Sequence, residues 1–185
     1  MSIESLLGDN VGARGVVIST ASSACIGVEL VAAGFADVSS PSDQTWQTAN
    51  TAIYIPFRIT EAMTVYQMGV ANGTVASGNV DVGVCNESGT SLVSSGSTAM
   101  SGTNTVQAFN VTDTLLVPGR YYLQMSVDNT TAAFRQWSVT AQFNRLMGVV
   151  MESSAFPIPA TATFAISDRT RLPWVAVFGR STPAP

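Results

Sequence analysis

Lysine and histidine are both missing from the 185-residue chain, so its eight basic side chains are all arginine. Histidine is the usual general base and metal ligand, and the one side chain whose unperturbed pKa lies near neutrality. Its absence excludes Ser-His-Asp and Cys-His hydrolysis and His-containing zinc sites. Without lysine there is no Schiff-base nucleophile and no P-loop cation. Charge of either sign is scarce, at 11% of residues against about 25% in an ordinary soluble domain. Such a surface stays in water only when it is covered in hydroxyls and amides or is buried against another protein. That balance points to a component of an assembly. The formal net charge of −4 argues against a surface that neutralises phosphates, so no nucleic-acid partner is expected.

Cysteine is nearly absent as well. Cys25 and Cys85 form no CxxC pair and read as two small reduced thiols. The one long apolar run, residues 15–36 (GVVISTASSACIGVELVAAGFA), reaches the roughly 20 residues needed to cross a bilayer. It is interrupted by Ser19, Thr20, Ser22, Ser23 and Glu29 and has no flanking basic cluster, so no membrane span is expected. The opening MSIESLLGDN carries Glu4 and no basic segment, which is not the pattern of a Sec-type signal.

What the chain does have is strand grammar. In residues 51–60 (TAIYIPFRIT), Ile53, Ile55, Phe57 and Ile59 share one face by period 2, and Pro56 suits an edge. Residues 62–70 place Tyr66, Met68 and Val70 together, and Asn72-Gly73 then supplies a hairpin signal. Val80, Val82 and Val84 alternate with Asn79, Asp81 and Gly83, and the chain turns at 86–89. A second set follows at 105–111, 115–117, 120–127 and 132–139, with Pro118-Gly119 predicting a type II turn and Asp128-Asn129 another turn. About seven or eight short strands at this spacing predict an all-β fold, an antiparallel β-sandwich or jelly roll.

Outside that block the pattern changes. Residues 138–152 fit a short helix through Val139, Phe143, Leu146, Met147 and Val150, and 174–178 fit a strand. The expected organisation is an N-terminal arm over 1–45, a sandwich over 46–139 and a C-terminal arm over 140–185. The arms are read as adding to neighbouring subunits or lying back across the sandwich. Their apolar residues Val16, Val17, Ile18, Trp174 and Phe178 are the candidate partner-binding anchors, with Arg58 as an interface ion-pair partner.

Carboxylate chemistry is the one catalytic class the composition leaves open. Asp81, Glu87, Asp113 and Asp128 sit beside turns or on polar strand faces, where solvated acids account for all of them. No catalytic residue, metal site or cofactor is expected. Aromatic side chains offer a different possibility, a sugar platform. Period 2 assigns Tyr66 and Tyr121 to the core and leaves Tyr54, Tyr122 or a loop for that role.

The block 48–131 resembles a β-sandwich module of tailed-bacteriophage structural proteins. The carrying features are Y-I-P-F-R at Tyr54 to Arg58, N-G at Asn72, G-N-V-D-V-G-V at Gly78 to Val84, S-L-V-S-S-G at Ser91 to Gly96 and P-G-R-Y-Y-L at Pro118 to Leu123. The resemblance covers about half the chain. It implies a non-enzymatic virion protein assembled in the bacterial host cytoplasm. A capsid cement or decoration subunit is expected, bound to the major capsid protein or other virion proteins. A tail-fibre or adhesin module that binds host glycans is the alternative. So few charges on a sandwich of this size also predict a homo-oligomer, a trimer.

Overall fold

The structure, a computed structural model, describes residues 17–20, 23–27 and 41–181. Its strands, numbered in chain order, form three antiparallel sheets. The first runs β1 (Val17–Thr20), β2 (Ser23–Gly27), β15 (Val175–Ser181), β5 (Met63–Ala71), β9 (Val106–Leu116). The second runs β13 (Ala165–Ile166), β12 (Val150–Glu152), β4 (Thr51–Ile59), β10 (Gly119–Val127), β6 (Asn79–Asn86), β7 (Ser91–Ser94), with β8 (Thr98–Ala99) also on β6. A three-stranded sheet of β14 (Arg171–Pro173), β11 (Ala133–Ser138) and β3 (Ser42–Thr45) completes the set. The expected all-β antiparallel sandwich is the fold observed.

The core follows from alternation. Ile53, Ile55, Phe57 and Ile59 of β4, Val80, Val82 and Val84 of β6, and Tyr121, Leu123, Met125 and Val127 of β10 form the inner face of one sheet. They pack on Met63, Val65, Met68 and Val70 of β5, Phe109 and Leu116 of β9, and Val175 and Val177 of β15. Trp46, Phe134 and Leu172 extend this core toward the three-stranded sheet. Pro56 is tolerated because β12 pairs β4 only at Ala52, Ile53 and Tyr54, leaving one neighbour from Pro56 onward.

Several local expectations are corrected. Tyr66 is not in the core: the β5–β9 register shifts between Val65 and Gln67, which turns Tyr66 outward beneath the Arg180 guanidinium at 4.8 Å. Asn72-Gly73 closes no hairpin, because β5 and β6 belong to different sheets. Asn72 is buried instead, its side chain donating to the Ser101 and Gly102 carbonyls and to Gln107 Oε1. Pro118-Gly119 is likewise a crossing from β9 in one sheet to β10 in the other, and Gly119 keeps a negative φ, so the turn is not type II. The turn at 86–89 does form as read, with Asn86 Oδ1 accepting from the Ser88 and Thr90 N–H groups.

The predicted helix is shorter, α1 (Ala141–Leu146). Thr140 Oγ1 caps it from the Phe143 N–H at 3.0 Å, and Gly148 past its end adopts φ +74°. Its buried residue is polar Asn144 and Leu146 is 76% exposed, while Val139 and Met147 on either side of it pack against the core as the apolar period indicates. Residues 140–181 contribute β12 and β13 to the second sheet, β14 to the third and β15 to the middle of the first.

Candidate functional site

Between β12 and β13 the chain leaves the sheet edge and straps across its outer face. The Ala155 N–H donates to Asn50 O, the Ser91 N–H to Ala160 O and the Ala162 N–H to Gly89 O, at 2.7–2.9 Å. A side chain at Gly89 would press on Ala162 O at 3.0 Å, and φ +88° there adds strain for any L residue. Beneath the strap lies a second apolar cluster. Ala52, Tyr54, Cys85 and Ala155 are buried, with Tyr122, Val150, Ala162 and Phe164 packed against them. Phe164 meets Tyr54 edge-on at 5.1 Å and Tyr122 at 4.9 Å.

Tyr54 is therefore unavailable as a sugar platform. It is fully buried, and its hydroxyl donates to Glu152 Oε2 at 2.6 Å. Burial first, and then this carboxylate, push the phenol well above its ordinary value. Burial also pushes the Cys85 thiol up to about 12, and Cys85 is a free cysteine.

Asp81 departs furthest from its expected role as a solvated acid. It is 1% exposed, and Oδ1 accepts from Ser94 Oγ at 2.5 Å and Ser95 Oγ at 3.3 Å while Oδ2 accepts from the strap's Ile158 N–H at 3.0 Å. Burial raises its pKa, against the lowering effect of these donors. The position reads as the polar face of an alternating strand, and nothing in the sequence says that another segment will cover that face. By contrast Asp128 stays near the surface. Burial raises its pKa, but donors on Asn79 and Asn129 outweigh that and hold the carboxyl below its ordinary value.

The candidate partner-binding residues do not converge. Val16 lies outside the described residues. Val17 and Ile18 fall in β1, opposite Ile26 and Cys25 of β2. Arg58 is exposed, directly across from Arg120, which itself pairs with Glu87 at 3.3 Å. Phe178 is half-buried against the bare backbone of Gly69. Trp174 is 46% exposed, and its ring stands 6.1 Å from that of Trp137, tilted by 51°. Two residues before Trp137, on the same face of β11, Arg135 Nη2 donates to Asn104 Oδ1 at 2.9 Å. The pairing of the two indoles was not legible in the sequence, because 36 residues separate them.

Other apolar side chains also face solvent. Val106 and Leu115 lie near the two ends of the edge strand β9 and Val117 just beyond it, at 66%, 55% and 56% exposure, and Ile166 on β13 is 74% exposed. Among the described residues no group of three or more Cys, Asp or Glu side chains is placed to hold a metal ion. No helix among them is long and apolar enough to cross a membrane.

No protein-family profile matches the chain, and no curated protein matches it. Among solved structures it is similar to a chain of the T13 IBDV viral particle, at 12% identity and a TM-score of 0.28. That similarity covers 97% of this chain and 45% of the other, so this chain spans less than half of its neighbour's length.

Proposed function

We propose that this chain is a non-enzymatic structural subunit of a virus particle, a cement or decoration protein of a tailed-phage capsid. In this role it binds the major capsid protein or other virion proteins and acts as a homotrimer. The observation that carries the reading is the distribution of exposed apolar side chains over a surface with few charges. Val106, Leu115 and Val117 at the open β9 edge of the first sheet, Ile166 at the β13 edge of the second, and Trp174 give a small sandwich several contact patches rather than one cleft. A chain with neither lysine nor histidine supports a contact role over a catalytic one. At about 25 cal/mol per Å² of apolar area, a few hundred Å² from each patch outweighs several kcal/mol of ordering cost.

The Trp137–Trp174 pair beside Arg135 and Asn104 favours a second reading, an adhesin that stacks a host sugar on an indole. Immunogold labelling of particles made by the encoding virus separates the two. Regular labelling over the head supports the cement reading. Label confined to the tail tip, with purified protein adhering to host cells, replaces it with the adhesin. Light scattering at micromolar concentration is expected to give a trimer mass, and a monomer would count against the oligomer.

A further inference from the structure

Natural sheets guard an open edge with a short strand, a lysine or a proline, or cover it with another segment. Of the strands that end a described sheet, all but one are short: β1, β3 and β7 have four residues, β14 three and β13 two. β7 is covered as well, since the Ser91 N–H donates to Ala160 O of the strap. β9 is the exception, an edge of 11 residues (VQAFNVTDTLL) with no proline, in a chain without lysine. Its one charged residue, Asp113, is already paired with Arg180.

The open backbone groups lie in the first half of β9. The Asn72 N–H donates to Thr105 O, so by antiparallel alternation Gln107 and Phe109 turn their N–H and C=O groups to β5 while Val106, Ala108 and Asn110 turn theirs away. Among the described residues no strand pairs with that side. The regular run ends at Asn110, because the register with β5 shifts between Val65 and Gln67. Val106 is 66% exposed, and Ala108 and Asn110 are exposed too.

β1 is the other edge of the same sheet. Across the sheet Val17 faces Ile26, Ile26 faces Val177, Val177 faces Met68 and Met68 faces Phe109. All four pairings are antiparallel, so β1 and β9 run in the same direction, and the chain enters β1 from the level of Ala108 and Val106. Its own β9 stands four strand spacings away, about 19 Å, on the far side of the sheet. The β9 of a neighbour set edge to edge against β1 lies beside the entering chain instead. Head-to-tail contacts between two different edges close into a ring, and a closed ring about an axis along the strands has no rise between subunits, so that level is kept. Residues 1–16 reach about 50 Å when extended, and they carry Leu6, Leu7, Val11 and Val16 to lay beside Val106.

We propose that residues 1–16 of one subunit add as a strand to the Val106–Asn110 edge of the next, and that three such additions close the homotrimer. The inference rests on the oligomer of the preceding reading and names its contact. Main-chain hydrogen bonds to the outward groups of Val106, Ala108 and Asn110 give the affinity.

Light scattering of the full chain at micromolar concentration, with Ala108→Pro beside the unaltered protein, tests it. Proline at 108 removes an N–H that β5 does not use, so the fold is kept while the edge is closed. The expected result is a trimer for the unaltered protein and a folded monomer for the variant. A synthetic peptide of residues 1–16 in excess should shift the unaltered trimer toward monomer and should not bind Ala108→Pro. A trimeric variant overturns the docking site and leaves the oligomer standing, whereas a monomeric unaltered protein overturns both. A peptide without effect on the trimer overturns the arm as occupant. Should Ala108→Pro not fold, hydrogen exchange of the unaltered trimer decides. Val106 and Ala108 amides slowed at least a hundredfold relative to unprotected chain support the contact, and unprotected amides there overturn it.

Discussion

The Ile158 N–H donates to Asp81 Oδ2 at 3.0 Å across 77 positions of sequence, so a buried carboxylate on β6 holds the strap against the outer face of its sheet. Ser94 and Ser95 of the adjoining hairpin close on the other oxygen. The acid thus joins three chain segments at one point, at the cost of a desolvated charge.

Replacing Asp81 by Asn should be close to neutral at pH 7 or slightly stabilising. The amide oxygen can accept from Ile158, the amide nitrogen can donate to a serine hydroxyl that turns to accept, and no charge is buried. Asp81→Ala leaves the Ile158 N–H and two hydroxyls without their acceptor and should cost about 3 kcal/mol. Urea unfolding of the two variants measures both, and equal destabilisation would show that the charge itself is the fastener.

Asp81 and Asp128 should oppose one another in acid. Asp81, raised by burial, contributes stability that is fully present below the ordinary carboxylate range and is lost as pH rises through its elevated value. Asp128, held below the ordinary value by Asn79 and Asn129 despite partial burial, contributes stability above that range and loses it as pH falls through its own lowered value. Melting curves from pH 7 down to pH 3 should therefore fall more steeply for Asp81→Asn than for the unaltered protein, and a gentler fall would reverse the assignment.

Cys85 reports on the strap. Covered by Phe164 and Ala155 and pushed up to about 12, its thiol should react with a thiol reagent only at the rate of local opening in a Cys25→Ser background. Adding Phe164→Ala removes the ring that covers Tyr54 and Tyr122, so labelling should accelerate at least tenfold with the near-ultraviolet tyrosine signal altered. Unchanged labelling would place the strap's hold elsewhere. The same chain without the Cys25 replacement should show no Cys25–Cys85 crosslink by non-reducing mass spectrometry.

Trp174→Ala should change stability by no more than about 0.5 kcal/mol, since the ring is nearly half exposed. Its effect belongs to association. Occupancy on particles, or on a sugar array under the second reading, should drop at least tenfold while the melting temperature is kept.

Alternation in the sequence is enough for the strands around Ile53, Val82 and Leu123, because period 2 is a local property and each strand carries its own inner face. The cap at Thr140 and the turn at Asn86 are local too, and both form where the residues indicate. Sheet membership is different. Asn72-Gly73 and Pro118-Gly119 have the composition of hairpin turns, yet each carries the chain from one sheet to the other, because strand pairing depends on neighbours distant in sequence. The same physics hid Tyr54, Asp81 and Arg169. A residue on the outer face of a strand or in a connection is polar or aromatic whether it meets water or another segment, and only the path of the strap and the docking of α1 decided that these three are buried.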